Sequence, residues 1–265
     1  ACVGGGVAGP GGVGAGSRTV AGEGGLMAVG GGGEAGVGKG RLLHEFQDWT
    51  DTQTEPCVVV EVRATPQTLT QPYGLLRDIV AARLRIGDGD SRVQARQKIE
   101  QGIEPLFLAE DGEDLAQAHA HLLGQLIGVD FSDSRHIDGI RGDGKQIRDR
   151  GFHAAARMFR RVAANADAPI LLLIEDLHWS DEGSLDFLAH LARVGQDVPM
   201  LIVGMTRPML FERSSFWPGK ADAERIELGA LDERSSSLLT DELLKKLPEI
   251  PADLRALITD GAEGN

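Results

Sequence analysis

The stretch Gly33-Glu34-Ala35-Gly36-Val37-Gly38-Lys39-Gly40-Arg41 carries the spacing Gly-x-x-x-x-Gly-Lys. This is the phosphate-loop pattern, and its chemistry explains its composition. Backbone N–H groups must curl around phosphate oxygens with no side chains in the way, and glycine permits that turn. A helix beginning at the loop adds the partial positive charge of its N-terminus, and Lys39 supplies a mobile cation for the outer phosphates. The run from Gly33 to Arg41 is therefore the candidate phosphate-binding segment. The eighth position of the pattern ordinarily carries a Ser or Thr hydroxyl that coordinates Mg²⁺. Here it is Gly40, which removes a metal ligand and weakens the first helical turn. Two readings stay open: a weakened ATPase, or a single-residue change in a working one.

A second cluster follows Leu171-Leu172-Leu173-Ile174, where the apolar run ends in Glu175-Asp176. Ligands of open α/β sheets bind beyond the carboxyl ends of the strands, so both acids are expected to face the phosphate loop. Glu175 stands where a metal-facing carboxylate is expected and Asp176 where a water-activating acid is expected. Both are candidate Mg²⁺ contacts, and their roles are exchangeable because the usual acid order is reversed. Arg207, after the apolar run Met200 to Val203 and before Pro208, is placed to read a γ-phosphate. The blander alternatives are a turn-starting Asp176, a solvated Glu175 and a surface Arg207.

Other chemistry finds little support. His178-Trp179 reads as a packing pair. His119 and His121 lie two apart on a helix and point in different directions, which is no metal site. GxSxG and HExxH are both missing from the sequence, so serine hydrolase and zincin readings have no basis.

The elements that would position these residues alternate. Leu26 to Val29 opens a buried strand, and an amphipathic helix over Arg41–Trp49 places Leu42, Leu43, Phe46 and Trp49 on one side. Cys57–Val62 is a β-branched strand. Residues 73–128 are mainly helical, broken at Gly87-Asp88-Gly89 and at Glu110-Asp111-Gly112. A helix spans Lys145–Ala166, and Pro169–Ile174 is a strand buried on both faces. Ser180 or Asp181 caps the next helix, whose Leu185, Leu188 and Leu191 share a face. Arg225–Leu228 is a last short strand, followed by helices over 232–247 and 251–260. Strands alternating with helices imply a parallel sheet covered on both faces.

The formal charge of −13 argues against a nucleic-acid-binding face. Cys2 and Cys57 form no paired motif, so disulfide and cysteine–zinc frameworks are unsupported and a reducing, cytoplasmic setting fits best. No apolar run reaches the roughly 20 residues that span a bilayer. Half of the 36 glycines fall within residues 1–40. Residues 1–25 accordingly read as a flexible glycine-rich tail, or as a misread segment joined to a domain. The first residue is not Met, and the chain reads as a piece of a longer one.

The phosphate loop through Leu43, the run Leu173-Ile174-Glu175-Asp176-Leu177-His178-Trp179-Ser180-Asp181, and Gly204-Met205-Thr206-Arg207-Pro208 together resemble one branch of the P-loop NTPases. The resemblance is to the AAA-type, origin-recognition-complex-like ATPase module of the STAND signalling class. Such modules occur in cyclase-linked and helix-turn-helix-linked bacterial regulators. Ala262-Glu263-Gly264-Asn265 is similar to a segment of that family's lid, and Arg63 through Gly74 looks like the cyclase-linked group.

The resemblance implies an α/β P-loop NTPase with helices on both faces of a parallel sheet and the start of a small helical lid. It divides the chain into a tail at 1–25, a core at 26–210, and a linker, last strand and truncated lid at 211–265. It also implies ATP and ADP as ligands, Mg²⁺ as companion ion, a nucleotide-dependent oligomer, and attached effector and helical-repeat domains outside this chain. No membrane or direct nucleic-acid partner is expected. Gly40, the missing Gly-Arg box before the first strand and the truncated lid depart from the family pattern. A non-catalytic nucleotide-binding or scaffold module is the alternative.

Overall fold

The computed structural model describes residues 26–213 and 223–245. The expected tail at 1–25 and the helix at 251–260 lie outside the described residues. Five strands form one parallel sheet among those described: β1 (Leu26–Gly32), β2 (Val58–Arg63), β3 (Ile170–Glu175), β4 (Met200–Thr206) and β5 (Ala223–Glu227). Their order is β2-β3-β4-β1-β5. In chain order the helices are α1 (Lys39–Asp51), α2 (Pro66–Thr70), α3 (Gly74–Leu84), α4 (Arg92–Ile103), α5 (Leu108–Leu126), α6 (Arg135–Asp138), α7 (Gly144–Ala166), α8 (Glu182–Val194), α9 (Met209–Arg213) and α10 (Glu233–Leu244).

Strand β3 is apolar and buried from Ile170 to Ile174, where both of its faces are covered, and ends in the half-buried Glu175. Leu171 and Leu173 pack with Val29, Leu201 and Val203 against Leu42, Leu43 and Phe46 of α1. Leu172 and Ile174 turn the other way, into a larger core shared with α3, α7 and α8. The expected two-faced α/β architecture is therefore present. Helices α2 to α7 all lie between β2 and β3 in the chain, and α4, α5 and α6 extend the second layer beyond the sheet.

Strand β1 runs beyond its apolar residues. The apolar run Leu26 to Val29 opens the strand as expected, and pairing continues through Gly30, Gly31 and Gly32, opposite β4 on one side and β5 on the other. Hydrogen bonds on both edges need no side chains, and β4 provides the packing that glycine lacks. A β-carbon on Gly31 would lie 2.3 Å from Met205 Sδ, so that side chain already fills the space.

The break expected at Glu110-Asp111-Gly112 is a kink within α5, with Gly112 at φ 76° and ψ 172°. Asp111 binds Arg157 of α7 at 2.7 Å, and Glu110 pairs with Arg161. These ion pairs tie the kinked helix to α7. His119 and His121 are both buried and diverge as expected. His119 meets Arg157 and Asp111, whereas His121 Nδ1 lies 2.7 Å from Ser134 Oγ.

Helix caps follow their local sequences. Asp181, not Ser180, caps α8 through the Ser184 N–H. Asp143 caps α7 and Asp232 caps α10 in the same way.

Candidate functional site

The loop between β1 and α1 is built by two glycines in the left-handed region, Gly36 and Gly38, each at φ 88°. Side chains rarely tolerate that conformation. Gly38 forms the N-terminal boundary of α1, and its carbonyl accepts from the Leu42 N–H at 2.9 Å. Glu34, Ala35, Gly36, Gly38 and Gly40 are exposed, so the outer surface of the loop faces solvent. Gly33 is buried beneath it. A β-carbon there would lie 2.7 Å from Val37 Cγ2 and 2.9 Å from the Leu228 carbonyl oxygen.

Lys39 folds back across the loop, donating to the carbonyls of Gly33 at 2.8 Å and Glu34 at 2.5 Å. Its pKa is lowered, first by burial and then by the positive charge of Arg207, with Asp176 and Glu34 acting in the opposite sense. The ammonium thus feels three charged residues singled out from sequence. Arg41 does not turn toward the loop; it pairs with Glu45 one helical turn on.

Register places the acids at the same edge. Ile174 of β3, Gly204 of β4 and Gly30 of β1 lie side by side. Glu175-Asp176, Arg207 and Gly33 therefore all emerge at the carboxyl ends of neighbouring strands. Strands β3 and β1 are separated by β4, a spacing of roughly 10 Å, which α1 bridges. A β-carbon on Gly40 would lie 3.6 Å from Glu175 Oε1. Glu175 is thus the acid that faces the position of the missing hydroxyl.

Asp176 adopts φ 51° and ψ 37°, a conformation uncommon for a residue with a side chain. The surrounding structure holds it there. A short 3₁₀ turn, Leu177–Trp179, follows at once. Thr68 of α2 donates to the Trp179 carbonyl at 3.1 Å, and Asp181 Oδ1 accepts from the Tyr73 N–H at 2.8 Å. The His178 and Trp179 rings pack together with centroids 5.0 Å apart.

Arg63 was given no site role from sequence, yet it stands directly beside the acids. It ends β2 opposite Glu175. Its guanidinium reaches Asp176 Oδ2 at 2.8 Å from Nη2 and 3.0 Å from Nε, with Glu175 Oε2 3.6 Å away. One signal could have found it: β2 and β3 both run from apolar residues into a charged residue at the carboxyl end, Arg63 and Glu175, as β4 does one residue past its end at Arg207.

The fit to Mg²⁺ is incomplete. One carboxylate faces residue 40, that residue brings no oxygen, and the same carboxylate lies near Arg63. Among the described residues, no group of three or more His, Cys, Asp or Glu side chains is arranged to hold a metal ion. A groove of about 630 Å³ lies elsewhere, lined by Leu115, Leu122, Ile140, His119, His136 and His153, and it includes none of the loop or acidic residues.

An uncharacterised protein of Rhizobium meliloti is 26% identical over 224 residues, covering 83% of this chain. The chain spans only 19% of that relative's length. Among solved structures, the chain is similar to one in an E. coli MS115-1 HORMA:CdnC:Trip13 complex, with 12% identity and a TM-score of 0.39. That match covers 88% of this chain and 57% of the other. It is also similar to a STAND protein with a tetratricopeptide-repeat sensor from Pyrococcus horikoshii, with 14% identity and a TM-score of 0.34, covering 87% of this chain and 25% of that one. The model of the AAA ATPase domain family matches residues 17–203, and the chain belongs to that family.

Proposed function

We propose that this chain is an ATP-binding switch module of the STAND type, with hydrolysis weakened at Gly40, working within a larger cytoplasmic signalling protein. The observation that best supports this reading is the meeting at one sheet edge of the Gly36–Gly40 loop, Lys39 and the Glu175-Asp176 pair, with Gly40 against Glu175.

In this reading the exposed loop amides and the N-terminus of α1 bind the phosphates. Lys39 exchanges its two carbonyl partners for phosphate oxygens. Asp176 orients and deprotonates a water, and Arg207, at the end of β4, registers the terminal phosphate. Loss of that phosphate shifts Arg207 and the β4–α9 connection, which passes the change to attached domains and to neighbouring copies. Mg²⁺ supplies charge neutralisation at phosphate oxygens in such enzymes, but Gly40 leaves its protein ligand set short. This last feature favours one alternative, a nucleotide-holding scaffold that acts through protein contacts.

Calorimetric titration of ATP into the wild type and Lys39→Ala tests the proposal. The expectation is saturable binding that weakens at least about tenfold in the variant. Wild-type affinity equal to that of Lys39→Ala would sink it.

A further inference from the structure

Arg63 and Gly40 flank the same carboxylate. Glu175 Oε1 faces the empty β-carbon position of residue 40 at 3.6 Å, while Oε2 lies 3.6 Å from Arg63 Nε. Asp176 is held more tightly by the same guanidinium, at 2.8 and 3.0 Å. The pattern that ordinarily presents a hydroxyl and a carboxylate to a divalent ion here presents a carboxylate and a resident cation.

We infer that Arg63 takes over the charge-neutralising part of Mg²⁺ at this edge, so that ATP binds as the free anion, largely independent of divalent metal. This rests on the ATP-binding reading above.

The physical case is one of charge and desolvation. At the loop and the acidic strand end beside it, the acids are Glu34, Glu175 and Asp176; the cations are Lys39 and Arg207, which interact with each other, and Arg63, which pairs with the two strand-end acids. With Arg63 the signs balance; without it, the acids are in excess where a polyphosphate must approach. Two adjacent carboxylates repel phosphate, and a divalent ion normally offsets that repulsion. Arginine is suited to the same task because its guanidinium is always charged and offers several donors in a fixed plane. It needs no hydroxyl ligand from residue 40, the group this chain lacks. The side chain is two-thirds exposed at 66%, so its removal changes the charge of the edge rather than the packing of the core.

The test is calorimetric titration of ATP into the wild type, Arg63→Ala and Arg63→Lys, each in excess Mg²⁺ and again in EDTA. The wild type is expected to give dissociation constants within about threefold of each other in the two buffers. Arg63→Ala should bind at least about tenfold more weakly in EDTA than in Mg²⁺, and Arg63→Lys, which keeps the charge, should restore much of the metal-free binding. Wild-type binding that requires Mg²⁺ overturns the inference while leaving the ATP-binding reading intact. Metal-independent binding in both the wild type and Arg63→Ala overturns the role of Arg63. Wild type that binds in neither buffer overturns the ATP-binding reading and this inference with it.

Discussion

Gly40 and Glu175 face each other across the edge of the sheet. A β-carbon at residue 40 would lie 3.6 Å from Glu175 Oε1, ordinary van der Waals contact, although Gly40 belongs to α1 and Glu175 ends β3, and β4 stands between β3 and the strand that leads into α1. A β-carbon therefore fits at position 40 without displacing anything, and a serine there would carry its hydroxyl on the carbon that faces the carboxylate.

Gly40→Ser should accordingly create the missing pair of oxygens. Mg²⁺-dependent phosphate release is expected to rise about tenfold or more, and the substitution should also stabilise the first turn of α1 by about 0.3–0.5 kcal/mol. Steady-state phosphate assays and urea unfolding check the two effects separately. Unchanged phosphate release in a folded Gly40→Ser protein would place the defect elsewhere.

In that active background, Asp176→Asn should lower phosphate release about 100-fold and leave the ATP dissociation constant within threefold. Asparagine tolerates the left-handed backbone found at this position, so the fold should survive. If Glu175→Gln abolishes turnover and Asp176→Asn does not, the roles of the two acids are exchanged.

Gly33→Ala probes the seat of the loop. The new methyl would meet Val37 at 2.7 Å and the Leu228 backbone oxygen at 2.9 Å, and the latter cannot swing aside as a side chain can. The expected cost is about 1–3 kcal/mol in urea unfolding, with ATP affinity reduced at least about tenfold. Wild-type stability and affinity would show that the loop seat is softer than its packing suggests.

Much of this arrangement was legible from residue types. The loop, the fully apolar β3 and its acidic end, and the alternation of strands and helices follow from local chemistry that tertiary structure does not override. Arg63 and the extension of β1 were not legible, for different reasons. An ion pair between residues 63 and 176 depends on which strands are neighbours, and spacing along the chain does not carry that information. Gly30-Gly31-Gly32 reads locally as loop. It becomes strand because β4 and β5 bond to both of its edges and Met205 covers it.

His119 gives the helical layer a defined response to acid. Burial, with Arg157 adding to the effect, lowers its pKa from 6.5 to about 4, while Asp111 opposes the shift. The unfolded chain therefore binds the extra proton first. The contribution of this residue should be constant above about pH 7 and lower stability as pH drops from about 6.5 toward 4, by about 1–3 kcal/mol. Buried His121, whose pKa is also lowered, adds to the loss. Urea unfolding between pH 7.5 and 4.5 should show a shallower acid slope in His119→Gln than in the wild type. Equal slopes would contradict the assignment.

The central claim is that nucleotide occupies the edge formed by the Gly33–Gly40 loop and Glu175-Asp176. Amide hydrogen exchange of the wild type with and without ATP tests it most directly, because it reports where the ligand sits without requiring turnover. ATP should slow exchange in peptides covering residues 33–43, 174–180 and 204–208 and leave α5 and α6 unchanged. Protection centred on the groove around His119, His136 and His153, with none in the loop, would contradict the account.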